Sequence, residues 1–261
     1  MPSPYELVVL TVRQERDIMT SGLVPGKSAV ETPSSARTRK KSTGYLVWLG
    51  FAGFVSCAVA VFSVSAYVTL DIDQSRTPVR GMLDYGLLVM HVATAVVALA
   101  VGVLQFVPSL QTPRRPVHRW VGRLYFACVI PGSIFALPVA VMSLQGLAAS
   151  APLSVLCVLW FITGVQGLRT ALRRDFRMHR IWMIRSFALT AAAITGRLYI
   201  VIMLAIIPDS YGATDQDISA AANWFSFVGN LLIAEWWIQR GNALGRPRNE
   251  GQRRPVQGSA K

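Results

Sequence analysis

Acidic residues are scarce in this chain: 13 Asp and Glu stand against 26 Lys and Arg among 261 residues. A basic excess of that size is one footprint of a nucleic-acid binder. The placement of the charges excludes that class. They gather at the ends of apolar runs, where a membrane protein meets anionic headgroups. Cysteine is scarcer still. Cys57, Cys128 and Cys157 fall in three different apolar runs and form no Cys-x-x-Cys pair. That excludes a disulfide framework and a thiolate metal centre, so each reads as a small buried hydrophobe. Gly-x-Ser-x-Gly, HExxH and Walker A patterns are also missing. The chain is therefore not expected to be an enzyme of the soluble type.

What it has is apolar length. Six runs cover Tyr45–Leu70, Met82–Val107, Trp120–Leu144, Pro152–Leu172, Ile181–Ile207 and Ala221–Ile238. A helix needs about 20 residues to cross a hydrocarbon core of about 30 Å. With 52% hydrophobic residues and a mean hydropathy of +0.43, little is left for a soluble domain. These numbers predict an all-α fold, a polytopic membrane bundle of six transmembrane helices over residues 44–239. Residues 1–43 and 240–261 are polar, basic and Gly/Pro-bearing, and are expected to be disordered tails. No short apolar stretch precedes Tyr45, so no cleavable signal is expected, and Met19 is a second candidate start.

Arg37–Lys41, Arg114, Arg115, Arg119, the Arg169–Arg180 cluster and the C-terminal arginines all fall on one face of a six-span topology. The other face holds Arg76 and Arg80 beside Asp71, Asp73, Asp84, Asp209, Asp215 and Asp217. By the positive-inside rule both termini are cytoplasmic, and the expected partner is a bilayer with anionic headgroups.

Ionisable groups inside spans are costly and mark candidate sites. In the fifth run His179, Ser186, Thr190, Ala193 and Arg197 share one helical face, and in the second run His91, Ala98, Gly102 and Gln105 do the same. His91 lies roughly 13 Å and Arg197 roughly 15 Å below the same membrane face. His91, Thr190 and Arg197 are therefore the expected ligand-binding residues, with hinges at Pro131, Pro138 and Gly196. His118 and His179 each open a span on the basic side. Two neutral imidazoles can ligate one b-type haem, with Arg119 and Arg180 against its propionates. Glu235 can pair with Arg123 or Arg185, while Asn223 and Asn230 suit interhelical hydrogen bonds.

The interval from Gln105 to His118 equals that from Gln166 to His179, and both histidines precede Arg and then Trp. Spans two-three and four-five can thus be read as a repeated hairpin, or as two basic loops that converged.

Several of these segments carry a family resemblance. They are His91, Leu104-Gln105-Phe106, His118-Arg119 with Gly122-Arg123-Leu124-Tyr125, and His179-Arg180-Ile181-Trp182-Met183-Ile184-Arg185-Ser186. Together they resemble a family of predicted bacterial membrane proteins, domain of unknown function 2306, over roughly residues 82–199. The resemblance implies a multi-helix domain in a bacterial inner membrane and implies no activity. Three functions stay open: a small carrier or ligand-binding protein, a haem electron carrier on His118 and His179, and a membrane scaffold or assembly factor.

Overall fold

The structure, a computed structural model, describes residues 43–107 and 116–244. They lie in one compact unit within Lys41–Lys261. The expected tails fall largely outside the described residues. Among the described residues the long elements are all helices: α1 (Thr43–Ser65), α2 (Met82–Leu104), α3 (Pro116–Val141), α4 (Leu147–Leu172), α5 (Phe176–Thr190), α6 (Ala192–Ile206) and α7 (Asp215–Leu244). The fold is the all-α membrane bundle that hydropathy implies. Four stretches are long and apolar enough to cross a bilayer: α2, α3, α4 and Phe176–Ile206 across the α5–α6 division. In α1 the apolar part, Leu49–Ser65, is shorter.

The exterior is greasy, as lipid requires. Phe51, Phe54, Leu83, Leu147, Leu198 and Trp236 are all exposed, and in water such a surface would aggregate. Inside, Ala98, Tyr125, Val129, Trp160, Leu189 and Phe227 form the main core. Helices α2 to α5 meet around it, with α7 against α4, α5 and α6, and α1 against α2 and α6. Close approach depends on glycine. A β-carbon at Gly102 would lie 2.7 Å from the Phe187 ring of α5, and one at Gly132 would lie 2.7 Å from Thr94 Oγ1 of α2. Such bare helix surfaces let backbones pack without a hydrophobic drive between lipid-bathed helices.

Three expectations need correction. The hinge residues Pro131 and Pro138 lie inside an uninterrupted α3, and Gly196 lies inside α6 against Ser226 and Asn223. Proline frees backbone carbonyls, and in lipid these need other partners. Pro131 frees the carbonyl four residues back, that of Ala127, and Ser133 Oγ donates to a different carbonyl, that of Ile130, at 2.8 Å. The division of span five falls instead at Ala191, where Asn230 Nδ2 of α7 donates to the Ala188 carbonyl (2.9 Å) and to Thr195 Oγ1 (3.0 Å). A side chain inserted beside the ladder is a known cause of a helix break. Second, α7 runs to Leu244, past the boundary expected at Gln239. Arg240 lies over the Trp236 ring at 5.1 Å, an i, i+4 pair that supports the added turn. Third, Cys57 is exposed, although Cys128 and Cys157 are buried.

The α4–α5 turn follows from local backbone chemistry. Arg174 adopts φ 61°, the Asp175 N–H reaches back to the Thr170 carbonyl, and the Arg174 N–H reaches Ala171 (both 3.0 Å). This paired closure is the Schellman ending. Asp175 then caps α5 at once, its Oδ1 accepting from the Met178 N–H at 3.0 Å. With no spare residues in the turn, the first turn of α5 is laid directly on the last turns of α4.

Candidate functional site

The polar groups of spans two and five meet through a residue of span four. His91 lies in α2 with its Nδ1 at 3.0 Å from the Gly132 carbonyl of α3. A carbonyl only accepts, so Nδ1 carries the proton, and in the neutral ring Nε2 keeps its lone pair. The imidazole stands edge-on to Trp160 of α4, with centroids 6.1 Å apart at 85°. The opposite polar end of that indole, Nε1–H, donates to Thr190 Oγ1 of α5 at 2.9 Å.

Thr190 is the node of a closed network. Its single hydroxyl proton goes to the Ser186 carbonyl at 2.9 Å. It therefore accepts from Trp160 and from the Tyr125 hydroxyl, 2.9 Å away. Tyr125 has then spent its own proton, so Ser186 Oγ donates to it across 3.0 Å. Tyr125 and Ser186 are fully buried, and Thr190 and Trp160 nearly so. Every polar atom in this set has a partner, as burial among apolar helices demands.

Arg197 belongs to another contact. It donates to its own helix at the Ala193 carbonyl and, at 2.8 Å, to Ser63 Oγ of α1. The shared stripe of span five thus divides between neighbours: Ser186 and Thr190 face α3 and α4, while Arg197 reaches α1. Spans two and five touch beside these stripes, where Gly102 of α2 abuts Phe187 and where the Phe106 and Phe187 rings lie 4.8 Å apart.

On the basic side, His179 Nδ1 is 2.9 Å from the Gly167 carbonyl of α4, and its ring packs against Phe126 of α3 at 6.3 Å. His118 is half-buried in the first turn of α3, with Arg119 exposed beside it, and Arg180 is exposed on α5. Phe126 lies about 12 Å along α3 from His118 at the helical rise of 1.5 Å per residue. Of the two arginines open to Glu235, Arg185 takes it in a two-pronged ion pair, 2.5 Å and 3.1 Å. Arg123 lies over Trp120 instead. Among the described residues no three His, Cys, Asp or Glu side chains gather as a metal site.

A family model described as "Predicted membrane protein (DUF2306)" matches residues 88–238. The chain belongs to this family. The matched region takes in His91, the whole Thr190 network, His118, His179 and the Arg185–Glu235 pair. No curated protein and no solved structure matches the chain.

Within the family domain, sequence reasoning overlooked Trp160 and the hydroxyl of Tyr125. A signal for the first was present. Trp160 sits in the middle of its span, away from the interfacial belts where the other tryptophans of span ends lie. An indole at that depth needs an acceptor for its N–H.

Proposed function

We propose that this integral membrane protein is a small carrier or ligand-binding protein of the bacterial cell membrane, with both termini cytoplasmic. Its polar site lies on spans two and five, centred on His91, with Thr190 holding the site through Trp160; Arg197, the third residue expected there, is spent on Ala193 and on Ser63 of α1. Its basic loops, Arg169–Arg180 among them, meet anionic headgroups; nucleic acid is not a partner. The observation that carries the reading is the His91 ring. Its Nδ1 is committed to Gly132, and Nε2 has no partner among the described residues on a half-buried ring within a span. An acceptor left open at that depth suits a ligand that brings an N–H or O–H donor.

Trp160 supplies the readout, because it touches His91 on one side and Thr190 on the other. Small neutral amines and alcohols are titrated into the detergent-purified protein and followed by tryptophan fluorescence, with Trp160→Phe as the blank. Binding present in the native chain and in His118→Ala but lost in His91→Phe supports the site. Equal binding in His91→Phe sinks it.

One observation favours b-type haem as a second reading. His179 gives its Nδ1 proton to a carbonyl and keeps Nε2 for ligation, the outer-sphere arrangement common for ligating histidines. His118 would be the other ligand, with Arg119 and Arg180 near the propionates. The Phe126 contact favours the first reading, since it seats His179 deeper along α3 than His118. A dithionite-reduced spectrum with sharp α and β bands, lost in His179→Ala, would reverse this order. A chain that binds neither ligand nor haem leaves the scaffold reading.

A further inference from the structure

A second surface feature lies away from the His91 site. Helix α1 carries an open apolar groove of about 540 Å³, lined by Phe54, Cys57, Ala58, Val61, Phe62 and Ser65. The spacing follows one face of the helix, so the groove runs along its axis. From Phe54 to Ser65 the rise amounts to roughly 16 Å. That is about half of a hydrocarbon core of about 30 Å, the depth of one leaflet.

The groove ends in a cation. Arg76 lies over the Phe62 ring at 3.8 Å, donates to the Phe62 carbonyl at 2.6 Å and to Ser65 Oγ at 3.0 Å. A guanidinium has five N–H groups, so three remain for another acceptor. Among the described residues no carboxylate forms an ion pair with Arg76. Asp71 and Asp73 are in the same loop, but Asp71 is occupied by the Asp73 N–H and Gln74 Nε2 at 3.0 and 3.1 Å. A second cation, Arg197, holds Ser63 between those two anchor points. An exposed guanidinium with unspent donors thus stands at the end of an open apolar strip about one leaflet long.

We propose that this groove binds one phospholipid of the leaflet on the Asp-bearing face. An acyl chain lies along Phe54, Ala58 and Val61, and the headgroup phosphate accepts from Arg76. Apolar length recognises the chain, and the charge-assisted N–H pair recognises the phosphate.

The full chain is reconstituted into phosphatidylglycerol–phosphatidylcholine vesicles, extracted in mild detergent and weighed by native mass spectrometry. The native protein is expected to retain one phosphatidylglycerol. Arg76→Leu is expected to lower the retained fraction about tenfold, the scale of a lost charge-assisted pair. Because Arg76 also closes the end of α1, Ala58→Trp provides the independent arm: it fills the groove and leaves the cation in place. It is expected to lose the lipid to the same extent. Retention in Ala58→Trp overturns the groove as the seat, and retention in Arg76→Leu overturns the headgroup contact. Displacement of the bound lipid by excess inorganic phosphate would show a plain anion site and overturn the proposal as well.

Discussion

His91, deep in α2, and His179, in the first turn of α5, each give an Nδ1 proton to a glycine carbonyl on a neighbouring helix. They reach that bond by different routes. His179 is twelve residues from Gly167 and is delivered by the chain itself: the Schellman ending at Arg174, then the Asp175 cap, then one turn of helix. His91 is 41 residues from Gly132 and is delivered only because α2 and α3 touch where Gly132 meets Thr94. A local device should tolerate distant substitutions, while a packing device should fail when its contact is spoiled.

The strongest break of this comparison is Gly132→Val. A β-carbon already falls 2.7 Å from Thr94 Oγ1, so forcing branched bulk there should cost about 3 kcal/mol and move His91 off its carbonyl. Thermal unfolding in detergent reads the loss. Gly167→Ala, whose β-carbon would stand 3.2 Å from the edge of the Phe126 ring, should cost visibly less.

Thr190→Val comes next. It strands the Trp160 N–H in a buried setting, while Tyr125 keeps Ser186. The expected loss is about 2 kcal/mol, with altered Trp160 fluorescence and an unchanged His179 environment. Chemical shifts of the two imidazoles separate these outcomes.

On the His179 side the expected effect is smaller and opposite in sign. Arg174 holds a left-handed φ of 61°, which L-residues adopt at a cost. Arg174→Gly should therefore stabilise the turn by up to about 1 kcal/mol and leave His91 untouched. A fall in melting temperature would mean that the Arg174 side chain contributes more than its backbone strain removes.

The smallest effect concerns a third local device, at the start of α7. Thr214 and Asp217 cap each other: the Thr214 hydroxyl and N–H donate to Asp217 Oδ2 at 2.7 and 3.0 Å, and the Asp217 N–H returns to Thr214 Oγ1 at 3.2 Å. Those bonds, the hydroxyl first, hold the Asp217 carboxyl below its ordinary value. A lowered carboxyl stabilises the fold above the unfolded-state pKa, and that contribution disappears as pH falls through the folded-state value. A slight acid-side drop in melting temperature should flatten in Asp217→Asn. An identical profile in both proteins would remove the cap from the account.

The same contrast explains how much could be read ahead. The helices, their order and the apolar exterior follow from runs of residues that lipid must surround, because an unpaired backbone group in hydrocarbon is too costly for any other arrangement. His179 at a helix opening, the Asn230 interhelical bond and an Arg partner for Glu235 were legible on the same grounds. The hinges were not. Proline and glycine mark where a helix can bend, yet α3 and α6 run unbroken through Pro131, Pro138 and Gly196, and the division of span five falls at Ala191, beside the Asn230 bond to Ala188.

The helical period places Thr190 and Arg197 on one face, yet neighbours differ along that face, and the two side chains end on α4 and α1. Trp160 became part of the site only because α2, α3 and α5 converge on it. Hydropathy and charge act on each residue alone, so composition and spacing settle the class of fold and the membrane-facing side. A hydrogen bond needs its partner within about 3 Å and correctly aimed, and only the packed helices bring Gly132 to His91, Thr190 to Trp160 and Ser63 to Arg197.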